Sequence, residues 1–80
     1  MTKDEIFVRL RAILAEMFEL DEAIITPEAQ LYDDLDIDSI DAVDLTVRLK
    51  NLTGKKIDPE IYKQIRTVRD IVDALADLMA

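Results

Sequence analysis

One short acidic segment of this chain contains a residue type that could take part in covalent chemistry. Ser39 lies between Asp38 and Ile40, where helical periodicity begins. A hydrolytic serine needs a neighbouring base, but the chain has no histidine, and Ala42 stands where a serine–lysine motif requires lysine. The sequence therefore predicts no catalytic residue and no enzyme.

Two kinds of ligand site are also excluded by the residues around Ser39. Asp34, Asp36 and Asp38 have the spacing of the first three ligands of a calcium loop. However, Ser39 and Leu45 replace the glycine and the glutamate that an EF-hand requires. A nucleotide-binding loop needs several glycines and the chain has one. We therefore assign no metal ligands and no nucleotide site.

A first helix and a long loop precede the serine. Thr2 and Glu5 have capping-box spacing, and apolar residues at helical intervals predict a helix to about Phe18. From residue 19 to 38 the helical period is lost, and Pro27 disfavours helix before it. The residues expected to anchor this loop are Ile24, Ile25, Leu31 and Leu35. A long, anchored loop is usually functional.

A second helix is expected to begin near Asp38 or Ser39, which are both good N-caps, and to end at about Leu52 before Gly54. It has two apolar stripes. The stripe expected to face the core is Leu45, Leu49 and Leu52. The second stripe, Ile40, Val43 and Val47, lies nearly opposite. Contact with a partner and burial under the loop are equally good explanations of this second stripe.

The remaining residues predict two further helices. Asp58 and Pro59 suit the start of a short helical turn that carries Ile61 and Ile65. Thr67 caps a last helix with a continuous apolar stripe. That stripe consists of Val68, Ile71, Val72, Leu75, Leu78 and Met79. We predict one all-α domain over residues 1–80, a four-helix bundle with three main helices, one short third helix and a long loop between helices one and two.

The predicted start of the second helix suits a phosphate group. Free N–H groups and the positive end of the helix dipole favour an anion attached at Ser39. From its position alone, Ser39 is more often an N-cap than an attachment site. Asp38 and Asp41 have structural roles in capping and dipole compensation, and Asp44 can pair with Arg48 one turn later. The neighbouring pattern is needed to decide between these roles.

That pattern resembles the acyl carrier proteins. The family is marked by Asp-Ser-Leu at the start of its central helix, and the similar triplet here is Asp38-Ser39-Ile40. Leu35, Asp41, Val43 and Leu45 also fit. Length, acidity and the order of the helices are similar along the whole chain. Two residues of the motif depart from the family, since Asp36 replaces a glycine and Ile40 replaces the leucine.

The resemblance implies a function and a cofactor. Ser39 would carry 4'-phosphopantetheine, derived from coenzyme A, whose thiol holds acyl intermediates as thioesters in fatty-acid, specialised lipid or polyketide-type biosynthesis. The implied partners are a phosphopantetheinyl transferase and acyl-processing enzymes with basic surfaces. The residues expected to contact these partners are Asp38, Ile40, Asp41, Val43, Asp44 and Val47. Arg48 and Lys50 stand where the family often has acids, which favours a non-standard choice of partner.

The composition is consistent with this interpretation. Eighteen acidic and ten basic residues give a net charge of −8, which repels nucleic acid and anionic membranes and attracts basic protein surfaces. There is no cysteine and no apolar run long enough to span a bilayer. We expect a cytoplasmic monomer.

Two alternatives to acyl carriage remain open at the level of sequence. A peptidyl or D-alanyl carrier would use the same arm but receive an amino acid from an adenylating enzyme. An unmodified helical interaction module would use the acidic face and the apolar stripe for binding, with Ser39 only as a cap.

Overall fold

The computed structural model describes residues 2–57, 60 and 63–79. Three α-helices are described along their whole length: α1, Lys3–Phe18; α2, Ser39–Thr53; and α3, Val68–Met79. Glu60 and Lys63 are also helical. A short 3-10 helix, Glu22–Ile24, follows α1. Across the described ranges, extended pairing is limited to an isolated antiparallel bridge between Gln30 and Thr67. The prediction of an all-α fold is confirmed.

The first helix begins and ends as its sequence predicts. The Glu5 N–H donates to Thr2 Oγ1 at 3.2 Å, and the Thr2 N–H donates to Glu5 Oε1 at 3.4 Å, which completes the capping box. After Phe18, Glu19 takes a left-handed conformation with φ of 53°. Its N–H donates to the Ala15 carbonyl, so the chain turns away from the helix there.

The long loop is pinned to the core by three of its four predicted anchors. Ile25, Leu31 and Leu35 are buried, but Ile24 is exposed, so the prediction for Ile24 is wrong. Ile24 is the last residue of the 3-10 helix, and adjacent residues of a helix point in different directions. Because Ile25 takes the inward position, Ile24 is directed to solvent.

Backbone hydrogen bonds also join the loop to the start of α3. The Leu31 N–H donates to the Arg66 carbonyl at 2.9 Å, and the Val68 N–H donates to the Ala29 carbonyl at 3.0 Å. These two bonds flank the bridge between Gln30 and Thr67. The loop that leads to Ser39 is therefore held by backbone pairing as well as by apolar side chains.

Among the described residues, the buried core is entirely aliphatic. Its side chains with almost no exposure include Ile6, Leu10 and Leu14 of α1, Leu45 and Leu49 of α2, and Val68, Ile71 and Leu75 of α3. Each such side chain contributes about 1.5–3 kcal/mol through burial. On the predicted inward stripe of α2, Leu52 is only partly buried. The predicted stripe of α3 also faces the core, with Leu78 and Met79 half-buried near its end.

The predicted short third helix lies partly outside the described residues. Asp58, Pro59 and Ile61, which carry the prediction of its start and apolar face, are not among them. Ile65, the second apolar residue assigned to that helix, is buried.

The start of α3 is capped by reciprocal bonds between Thr67 and Asp70. The Asp70 N–H donates to Thr67 Oγ1 at 3.2 Å, and Asp70 Oδ2 accepts from the Thr67 and Arg66 N–H groups at 3.1 and 2.9 Å. The hydrogen bond from the Arg66 N–H is the main cause of a lowered pKa of Asp70. At the other end of α3, Lys55 Nζ donates to the Leu78 carbonyl at 2.7 Å. The ends of α2 and α3 therefore meet.

Candidate functional site

The beginning of α2 is fixed by Asp38. This residue is extended, with φ of −90° and ψ of 178°, and its Oδ1 atom accepts a hydrogen bond from the Asp41 N–H at 2.8 Å. Its carbonyl accepts the first helical bond, from the Ala42 N–H at 3.0 Å. Of the two predicted caps, Asp38 takes the capping position, and Ser39 is the first residue of the helix. The capping role therefore does not require Ser39.

The N-terminus of α2 has the features that an attached phosphate needs. The first N–H groups of a helix have no partner within the helix, and they lie at the positive end of its dipole. The side chain of Asp38 satisfies the N–H of Asp41. By the same rule, the N–H groups of Ser39 and Ile40 need partners from outside the helix. Ile40 is 75% exposed. A phosphodiester at Ser39 is compatible with this geometry.

The turn before the helix uses Asp36 in a conformation that favours glycine. Asp36 has φ of 55°, in the left-handed region. This is the position where the sequence departs from the glycine of the acyl carrier proteins. Aspartate occupies the left-handed region more readily than most residues with a side chain. Aspartate can therefore adopt the left-handed conformation that this turn uses.

Sequence reasoning missed Ile37 as an anchor of this turn. Ile37 is 2% exposed, and its N–H donates to the Leu31 carbonyl at 2.9 Å. Together with Leu35, Ile37 places buried side chains on both sides of Asp36, which lies three residues before Ser39. The alternation of apolar and acidic residues from Leu35 to Asp38 was the available signal.

The second apolar stripe of α2 is exposed. Ile40, Val43 and Val47 have 75%, 58% and 56% of their surface accessible, so burial under the loop is excluded. We call these three residues the apolar strip. Isolated exposed apolar residues are ordinary, but three in adjacent turns of one helix form a small continuous surface.

The three predicted acids accompany this strip, but one predicted ion pair is absent. Asp38 and Asp44 are exposed and Asp41 is half-exposed. Arg48 does not pair with Asp44; its Nη2 atom lies 3.6 Å from Glu16 Oε2 of α1. Because the guanidinium of Arg48 pairs with Glu16, the carboxylate of Asp44 is exposed without this partner. The prediction of an Asp44–Arg48 pair is wrong.

Neither a metal-binding cluster nor a membrane-spanning helix is found among the described residues. In residues 2–57, 60 and 63–79, no group of three or more acidic side chains is placed to hold a metal ion. Within the same ranges, no helix has the length and apolar character needed to cross a membrane.

The fold is all-helical and places a capped helix start after a long loop, and comparisons with known proteins identify its family. The family model described as "Phosphopantetheine attachment site" matches residues 8–75. Acyl carrier protein 2 of Ralstonia nicotianae is 50% identical over 80 residues, which cover 100% of this chain and 99% of that protein. The acyl carrier protein of Thermotoga maritima is 41% identical over 71 residues, or 89% of this chain and 88% of the relative.

A solved structure supports the same conclusion. The acyl carrier protein from Enterococcus faecalis superposes with a TM-score of 0.79 at 27% identity, covering 96% of this chain and 98% of that one. The chain belongs to the acyl carrier proteins of the phosphopantetheine attachment family. It carries acyl intermediates by means of covalently attached 4'-phosphopantetheine.

Proposed function

We propose that Ser39 is the residue to which the phosphopantetheine arm is attached. The observation that carries this proposal is the start of α2, where Asp38 supplies the cap and Ser39 is the first helical residue. Ser39 is also the only serine of the sequence. It lies within the part of the chain that matches the attachment family.

The other hydroxyl groups are weaker candidates because most of them are already engaged. Thr2 and Thr67 cap helices α1 and α3. Thr46 Oγ1 donates to the Val43 carbonyl at 2.6 Å, and Thr53 Oγ1 donates to the Leu49 carbonyl at 3.0 Å. Three of these threonines lie at helix ends and Thr46 bonds within α2, whereas the helix start at Ser39 is served by Asp38.

In this proposal the chain is a carrier and catalyses no reaction. The bound arm supplies the thiol on which acyl groups are held as thioesters. The protein's own residues hold the attachment point and present it: Asp38 fixes the helix start, and the buried Leu35 and Ile37 fix the turn before it. Exposure of the neighbouring Ile40 leaves the site open to an enzyme.

The proposed partners are a phosphopantetheinyl transferase and acyl-processing enzymes with basic surfaces. Asp38, Asp41 and Asp44 would meet the cations, and the apolar strip would fill a shallow recess between them. We further propose that the protein is a monomer of one domain that works in the cytoplasm, and that a short helix precedes Thr67. The single cluster of buried residues, drawn from all three helices and the loop, supports the one-domain organisation.

Fatty-acid biosynthesis is the pathway that we propose first, because it is the usual role of acyl carrier proteins. Arg48 and Lys50 keep a specialised lipid or polyketide-type pathway as the alternative. An amino-acid carrier would also use Ser39, and loading by an adenylating enzyme instead of an acyl-transferring enzyme would identify it.

Intact mass spectrometry tests the attachment site. The chain is incubated with coenzyme A and a broad-specificity phosphopantetheinyl transferase, with Ser39→Ala as the control. We expect one added phosphopantetheine group on the original chain and none on the control. A conversion of the Ser39→Ala variant would place the arm elsewhere. An unmodified but folded original chain would favour the interaction-module alternative, for which the exposed apolar strip is the supporting observation.

A further inference from the structure

The charges on α2 change sign along its length. Asp41 and Asp44 lie in its first half, whereas Arg48 and Lys50 lie in its second half. At a rise of 1.5 Å per residue, Asp44 and Lys50 are separated by roughly 9 Å along the helix axis. The net charge of −8 therefore does not describe the surface that surrounds the attachment site.

The apolar strip runs alongside these charges: Ile40 and Val43 lie at the level of Asp41 and Asp44, and Val47 lies between Asp44 and Lys50. Asp44 follows Ile40 by four residues, so it occupies the next turn on the same side of the helix. Lys50 follows Val47 by three residues and Val43 by seven, so it continues the row that these two valines form. The exposed face of α2 thus has acids beside the first half of the apolar strip and a lysine beyond its last residue, Val47.

Lys50 is the cation of this face that is free to meet a partner. Arg48 lies 3.6 Å from Glu16, which offsets its charge. Lys55, just beyond the helix, donates to the Leu78 carbonyl. With the residues that the structure describes, exposed Lys50 forms no salt bridge. Its position in the last turn also suits the helix dipole, but that effect is independent of its alignment with the valines.

We propose that α2 selects a partner enzyme whose docking surface has two sites of opposite charge. This proposal rests on the carrier function proposed above. A cationic site would face Asp41 and Asp44, an apolar recess would receive the strip, and an anionic site about 9 Å further along the helix would face Lys50. An enzyme with only cations around its entrance would attract one end of α2 and repel the other.

Charge and area favour a protein partner over other occupants of this surface. A nucleic acid or an anionic membrane would be repelled by Asp41 and Asp44 beside the strip. A second copy of the chain could pair its own charges in the opposite direction. However, a stable dimer needs about 800 Å² buried on each side, and one helix face with three exposed aliphatic residues supplies much less.

A binding experiment with charge-reversed variants tests the proposal. The probe is a purified β-ketoacyl synthase with only lysine and arginine around its carrier entrance, together with single Lys→Glu variants around that entrance. Its affinity is measured by NMR titration of the unmodified, isotope-labelled chain, of Lys50→Glu and of Lys3→Glu. Lys3 is the matched control because it lies on α1 beside Asp73 of α3, with which it forms an exposed ion pair at 3.0 Å.

We expect the effect of Lys50→Glu on affinity to reverse between the all-basic synthase and at least one of its Glu-bearing variants. Lys50→Glu should bind the all-basic synthase about three- to tenfold more tightly than the original chain, because a repulsion becomes an attraction. For at least one Glu-bearing synthase the original chain should bind more tightly than Lys50→Glu. Lys3→Glu should change each affinity by less than about twofold, since it alters net charge without altering the face of α2.

Several results would overturn the proposal. Equal effects of Lys50→Glu and Lys3→Glu would show that net charge alone matters. If Lys50→Glu bound every Glu-bearing synthase more tightly than the original chain does, an anionic site opposite Lys50 would be excluded. Concentration-dependent dimerisation of the original chain, lost in Lys50→Glu, would assign the face to a second copy. The titration uses the unmodified chain, so its result does not depend on attachment of the arm. A failure of Ser39 to accept the arm would be seen only in the mass experiment, and the two proposals can therefore fail independently.

Discussion

Asp38 has two roles that substitution can separate: a hydrogen bond that begins α2 and a charge beside the proposed attachment site. Replacement by alanine removes both roles. Asparagine keeps a side-chain oxygen that can accept from the Asp41 N–H, as Asp38 Oδ1 does at 2.8 Å in the original chain. A lost N-cap costs about 1 kcal/mol, and asparagine caps nearly as well as aspartate. In a domain of this size, 1 kcal/mol corresponds to a shift of roughly 4–8 °C in Tm.

The two variants should therefore differ in stability but share a defect in modification. We expect urea unfolding to show a loss of about 1 kcal/mol for Asp38→Ala and only a few tenths for Asp38→Asn. Both should lower kcat/KM of the phosphopantetheinyl transferase by about two- to fivefold at low salt, because each removes one charge from the encounter surface. The defect should shrink at high salt, where exposed charges are screened.

Asp77→Asn is the matched control for the charge. Asp77 precedes Leu78, whose carbonyl meets Lys55 beyond the end of α2. The 15 residues of α2 separate that end from Ser39 by roughly 20 Å. If Asp38→Ala were as stable as the original chain, the capping argument would be refuted. If Asp77→Asn slowed the transferase as much as Asp38→Asn, the local role of the Asp38 charge would be refuted.

Two further predictions concern stability. The pKa of Asp70 is lowered in the folded protein, so its bonds to Arg66 and Thr67 stabilise the fold fully at pH values above the ordinary aspartate pKa of about 3.9. This stabilisation is lost as the pH falls through the folded pKa. The difference in unfolding free energy between the original chain and Asp70→Asn, measured in urea, should therefore narrow below about pH 4, and a pH-independent difference would contradict this. Asp36→Gly should keep the unfolding free energy within about 1 kcal/mol of the original value. Asp36→Val should lower it by about 1–2 kcal/mol, because a β-branched residue resists φ of 55°. Equal unfolding curves for the two variants would refute the role of the left-handed turn.

The parts of the fold that local sequence determines were predicted well. The capping box at Thr2 and Glu5, the end of α1 and the inward leucines of α2 all follow from local spacing. Local periodicity and side-chain chemistry were sufficient at these positions. Ser39 could be singled out because the short, continuous motif around it resembles that of the acyl carrier proteins, and its role as the attachment residue stays a prediction.

Features that depend on tertiary contacts were not predictable from the chain. Arg48 could pair with Asp44 one turn away or with Glu16 on another helix, and it pairs with Glu16. Sequence spacing predicts only contacts within one helix, so it indicated Asp44. Ile24 and Ile25 are chemically identical, so only the 3-10 turn decides which is buried. The exposure of the apolar strip was open for a similar reason, since the path of the loop over or away from α2 is a tertiary property.

The pairing of the loop with the start of α3 has a consequence for folding. Gln30 and Thr67 are far apart in sequence, so closing this bridge has a large entropic cost that is met only once α3 packs. We therefore expect the turn that precedes Ser39 to take its shape late, once Gln30 and Thr67 have been brought together. We expect a transferase that reads this turn to modify completed molecules and to pass over partly folded ones, so that loading with the arm also acts as a test of folding.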